Sequence, residues 1–119
     1  MADTDGARLD YENLDVYQRA IDFLRLAMQV TEELPRGESE LRSQLKRAAM
    51  SIPLNIAEAS GKPSDADRAR YHAIARGSAM ECGALLDVCT IAGHVTASDA
   101  RRGKLLIVRI VAMLSRMCR

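Results

Sequence analysis

Three breaks divide this chain of 119 residues: Pro35-Arg36-Gly37, Gly61-Lys62-Pro63-Ser64, and Gly93-His94-Val95-Thr96. The four long stretches they separate carry helical periodicity. Connections this short leave no room for a crossover, so consecutive helices must lie antiparallel. Between the breaks Ala, Leu, Ile, Met and Arg dominate, with one Phe, three Tyr and no Trp, a composition that favours helix. The expectation is an all-α, antiparallel up-down-up-down four-helix bundle, with helices over about 14–34, 38–60, 65–93 and 98–118. Residues 1–12 are expected to be a flexible N-terminal segment, and 13–119 a single domain able to bury a core without disulfides or a metal.

Several function classes are disfavoured at this level. The three cysteines are odd in number and form no Cys-x-x-Cys pair, which points to free thiols and a reducing, cytoplasmic setting. Met1 to Asp10 holds no apolar run of the kind a secretory signal needs. Leu105 to Leu114 is interrupted by Arg109 and is half the length of a bilayer span, so no membrane partner is expected. Net charge is only +1, but ten of the sixteen acidic side chains lie in residues 1–40 and thirteen of the seventeen basic ones follow them. The later part is therefore basic.

The first helix carries two apolar stripes. Leu14, Tyr17, Ile21, Leu24, Met28 and Thr31 have the spacing of a bundle seam, and Val16, Ala20, Phe23, Ala27, Val30 and Leu34 repeat it alongside. So wide an arc has two readings: a deeply seated helix, or a second stripe (Val16, Ala20, Phe23, Ala27, Val30) that meets another subunit. In the second helix Leu41, Leu45, Ala48, Ala49, Ile52, Ile56 and Ala59 keep one phase across Pro53. That continuity favours one helix kinked at Pro53 over two short ones.

Opposite this core line, Gln44, Arg47, Ser51, Asn55 and Glu58 form a polar row. The third helix, with Ser64 as its cap, offers Ile74, Leu85, Val88 and Ala92 as the apolar line, with Gly77, Ser78 and Glu81 between. An antiparallel hairpin would bring Arg47 to Glu81 and Glu58 to Arg70 as two ion pairs, and Gly77-Ser78 to Ala48-Ala49 as a close backbone approach. The resulting polar seam, Arg47, Ser51, Asn55, Glu58, Arg70, Arg76, Ser78 and Glu81, is either self-satisfied or a surface that holds a ligand or partner.

The runs Tyr11-Glu12-Asn13-Leu14-Asp15-Val16-Tyr17-Gln18-Arg19-Ala20, Gln44-Leu45-Lys46-Arg47-Ala48-Ala49, Ser51-Ile52-Pro53-Leu54-Asn55-Ile56-Ala57-Glu58 and Arg76-Gly77-Ser78-Ala79-Met80-Glu81 resemble a known family. It is the four-helix-bundle proteins encoded by intervening sequences of bacterial large-subunit ribosomal RNA. The resemblance extends to about Gly93, and the last helix matches only in kind. It implies a bundle with a kinked second helix, a homopentameric ring, and a relative that serves as accessory protein of diversity-generating retroelements, linked to reverse transcriptase and nucleic acid. It places the family's characteristic polar residues at Arg47, Asn55, Glu58, Arg76, Gly77, Ser78 and Glu81, and it implies no catalysis. This chain has Ala59 where the family usually has Gly after the Asn-Ile-Ala-Glu motif.

The fourth helix is apolar around much of its girth. Leu106, Ile110, Met113 and Met117 are the expected core line, leaving Leu105, Ile107, Val108, Val111 and Leu114 in excess of what one subunit should hide. Arg102, Arg109 and Arg116 recur every seven residues, with Arg119 further on and Arg101 and Lys104 at the start. A heptad repeat stays near one helix face, so these residues form a basic ridge, either simply solvated or used on phosphates. No aromatic residues lie near it for base stacking. Enzyme chemistry finds little footing: His72 and His94 are far apart and share no metal-ligand spacing with the cysteines, and neither a metal nor a cofactor is expected. Ser78 lies six helical residues, about 9 Å, from His72, beyond reach of a base. Two readings remain: a homo-oligomeric, non-enzymatic accessory protein that binds RNA or DNA through the ridge, or an oligomeric scaffold that binds a protein partner.

Overall fold

A computed structural model describes residues 7–118 of the chain. Its helices are α1 (Asp15–Glu33), α2 (Ser39–Ser60), α3 (Asp65–Ile91) and α4 (Ala97–Met117), and no strand occurs among the described residues. Each helix packs on two neighbours and none on its diagonal: α1 and α3 both touch α2 and α4. This is an all-α four-helix bundle. Ser51 meets Ser78 while Leu41 shares a groove with Val88, so residue numbers fall along α3 as they rise along α2. The pairs Asp87 with Lys104 and Arg76 with Ser115 give α3 and α4 the same antiparallel sense.

The helix ends are set by local chemistry. The Ser64 hydroxyl accepts from the Asp67 N–H at 3.1 Å, as the sequence suggested, and Thr96 does the same for Asp99 at the start of α4. α3 closes on Gly93, whose φ of 74° admits the paired bonds from Gly93 N–H to the Thr90 carbonyl and from His94 N–H to the Cys89 carbonyl. α1 has no such glycine. Instead the Arg42 guanidinium of α2 donates to the Thr31, Leu34 and Pro35 carbonyls at 3.1, 2.9 and 3.1 Å, giving the Leu34 carbonyl its partner and adding a second donor to the other two, which also accept from the Leu34 and Glu38 N–H groups. Pro53 lies buried inside α2, which runs through it as a single helix. Ahead of α1, Asp10–Asn13 form a 3-10 turn, with the Tyr11 ring 4.8 Å from that of Tyr17. The N-terminal segment expected to be flexible thus includes a packed turn, and its residues 1–6 lie outside the described residues.

The core corrects three expectations. Val16, Ala20, Phe23, Ala27 and Val30, considered for a subunit interface, are all at most 3% exposed and form the middle of this subunit's own core. The half-exposed side of α1 is the other stripe, through Leu14, Ile21, Leu24 and Met28. In α3 the core face is His72, Ala75, Ala79, Cys82, Leu85, Leu86 and Cys89; of the expected line Leu85 is buried, while Ile74, Val88 and Ala92 point to solvent. In α4 it is Gly103, Ile107, Ile110 and Leu114, with Leu106, Met113 and Met117 at its margin. The expected close approach at Gly77 is also displaced. A Cβ on Gly77 would meet nothing within 4 Å, whereas one on Gly103 would stand 2.7 Å from Leu86 Cδ1 and 3.2 Å from Leu26 Cδ2. The tight contact is where α4 meets α1 and α3.

Candidate functional site

The α2–α3 seam is polar at its centre. Asn55 Nδ2 donates to the Ser51 carbonyl at 2.8 Å and to Ser51 Oγ at 2.9 Å, and Ser78 Oγ donates to Ser51 Oγ at 2.8 Å. One residue of each helix is thereby tied to a local back-bond, which keeps three half-buried polar groups paired with one another. Arg47, Glu58, Arg70 and Glu81 do not close this network. All four are exposed, and neither expected ion pair forms. Glu58 pairs with Lys62 of the α2–α3 connection at 3.5 Å, and Arg70 lies over the Tyr71 ring at 5.0 Å. The reason is rotational: Ser51 and Ser78 take the facing positions, so the charged residues at neighbouring levels point outward. Arg76 belongs to the opposite flank of α3, where its Nε donates to Ser115 Oγ of α4 at 2.7 Å. On that flank buried His72 donates through Nδ1 to the Met117 carbonyl at 3.3 Å, another bare acceptor at a helix end.

Both buried thiols are held protonated: burial, helped by Glu81, pushes Cys82 up to about 12, and burial, helped by Glu38, raises Cys89. No group of three or more His, Cys, Asp or Glu among the described residues could hold a metal ion.

The arginines of α4 contrast with the paired ones of α1. On α1, Arg19 and Arg25 both reach Asp22 at 3.3 Å. On α4, Arg101, Arg102, Arg109 and Arg116 are exposed and make no hydrogen bond or ion pair among the described residues. Lys104, expected to join them, is engaged with Asp87 of α3 at 2.5 Å. Arg119 lies outside the described residues. Arg102 and Arg109 border one shallow groove with Leu105, Leu106, Val108 and Ala112, and Arg116 continues their row at the same seven-residue spacing. Three free guanidinium groups thus recur every 10.5 Å or so along one helix edge. The seam residues and this row lie on different sides of the bundle, since α2 and α4 do not touch.

No helix among the described residues is long and apolar enough to cross a membrane. Residues 12–116 match the family model described as 23S rRNA-intervening sequence protein. Among solved structures, the chain is similar to the crystal structure of a protein of unknown function from the S23 ribosomal protein family of Bacteroides thetaiotaomicron. That likeness has a TM-score of 0.79 at 21% identity and covers 87% of this chain and 98% of the other. No curated protein matches.

Proposed function

The chain belongs to the family of 23S rRNA-intervening sequence proteins, and from that premise we propose that it is a non-enzymatic, self-associating accessory protein that holds nucleic acid along α4. The observation that supports this reading is the row of unpaired arginines. Arg102, Arg109 and Arg116 stand in one row with no partner among the described residues, and phosphate is the ligand a guanidinium fork fits best. The contact would be electrostatic and indifferent to sequence, because α4 itself carries no aromatic or amide side chain to read bases. Repetition of the row in a homo-oligomer, for which the resemblance implies five subunits, would extend it into a continuous positive surface.

Structured RNA is the first probe, given the family's name. Anisotropy titrations across a salt series should show affinity falling steeply as salt rises, with a log–log slope that shrinks by about one for each of Arg102, Arg109 and Arg116 changed to Gln. Unchanged affinity in the triple Arg→Glu variant would remove α4 from the reading. A second reading, an oligomeric scaffold for a protein partner, draws support from Leu105 and Val108, both more than 60% exposed beside the arginines. It expects weak RNA binding that Leu105→Ser leaves untouched, and loss of a protein partner on the same substitution.

A further inference from the structure

A helix with apolar residues on all sides belongs in an interior. α3 comes close to that description. Its inner face is the core line from His72 to Cys89, and its outer face carries Ala73, Ile74, Gly77, Met80, Ala84, Val88 and Ile91, all exposed, with Glu81 among them carrying a charge that no described residue pairs. The positions from 74 to 88 recur at intervals of three and four, so they make one strip about 21 Å long. The outer side of the neighbouring α2 is of complementary character: Met50 and Leu54 are exposed there, bordered by Lys46 and Arg47, and neither cation has a partner among the described residues.

We propose that these two strips are the two halves of one contact, in which α2 of one copy of this chain packs on α3 of a second copy and Arg47 pairs with Glu81 across the junction. This rests on the self-association proposed above and names the surface responsible. Charge complementarity selects the occupant. The α3 strip needs a partner that is apolar with a cation at its middle, and the α2 strip needs one that is apolar with an anion. Each supplies what the other lacks. Gly77 adds a geometric argument, since it sits in the strip with open space above it and lets a second helix approach the α3 backbone closely. A contact of α2 on α3 is heterologous, so it builds a ring when its rotation closes. It also leaves the α4 arginines uncovered, because they lie on the edge of α4 away from the Lys104 and Ser115 contacts with α3.

The test is the mass of the full-length chain in solution, by sedimentation velocity and light scattering over a range of concentrations, against the 13.1 kDa of one subunit. Wild type should be larger than one subunit. Arg47→Glu or Glu81→Arg alone should weaken association by about tenfold or more, and the two together should restore most of it. Gly77→Gln should dissociate the assembly while its helical circular dichroism stays that of wild type. All these positions are exposed in the subunit, so folding is preserved in each variant. A wild-type monomer at every concentration would overturn self-association itself. An oligomer indifferent to Arg47, Glu81 and Gly77, yet broken by Leu105→Glu, would overturn this surface and leave self-association standing.

Discussion

At the scale of single residues, two glycines in helices carry opposite expectations. Gly77→Ala should stabilise the subunit by about 0.5–1 kcal/mol, because alanine gains helix propensity and meets nothing. Gly103→Ala should destabilise it by about 1 kcal/mol net, because overpacking against Leu86 and Leu26 outweighs the same gain. Urea midpoints for the two variants check both signs. Cys82 makes a pH prediction. Its folded pKa of about 12 lies above the usual 9.0. Below pH 9 the thiol is neutral in both states and costs nothing. Above it the unfolded chain ionises first, so stability is lost at about 1.4 kcal/mol per pH unit until the folded thiol follows. Cys82→Ala should therefore narrow the gap between stabilities measured at pH 8 and pH 10.5 by roughly 2 kcal/mol. Neither the burial of Cys82 nor the tightness at Gly103 was legible in the sequence. Spacing marks where large apolar residues recur, and both of these positions are small.

At the scale of elements, the periodicity predicted four helices and their order, and the capping hydroxyl of Ser64, because breaks and caps are local signals. The orientation of each helix was read well only where the core residues are the large ones, as in α2. In α3 the core face runs through Ala75, Ala79, Cys82 and Cys89 beside Leu85 and Leu86; Leu85 was placed correctly, but the bulkier Ile74 and Val88 pulled the rest of the expected face outward. In α4 the glycine that faces the core pulled it by one position. The α1–α2 connection shows a further limit, since Arg42 looks like any surface arginine until the chain turns back and offers it three carbonyls. Arg42→Ala should cost about 1–3 kcal/mol by taking a charged donor from all three and leaving the Leu34 carbonyl to water. Arg42→Lys should recover less than half, because one ammonium cannot span the three oxygens. Chemical denaturation of both variants checks this.

At the scale of the molecule, the polar seam illustrates how a charged row can be right in position and wrong in partner. Ser51, Asn55 and Ser78 do meet, as a two-helix register allows, but Arg47 and Glu81 are released to the surface by the same register. That release is what makes them available to another copy. The circuit of contacts has a kinetic side as well. α1 with α2, α2 with α3 and α3 with α4 are neighbours in sequence, whereas α1 with α4 joins stretches about eighty residues apart and pays the largest loop entropy. Gly103 sits in that last junction, against Leu26 and Phe23 of α1. The bundle should therefore zip along its hairpins and latch at Gly103. On that view Gly103→Ala should act almost wholly on the unfolding arm of a chevron plot, opening the latch sooner while leaving the rate of folding nearly unchanged.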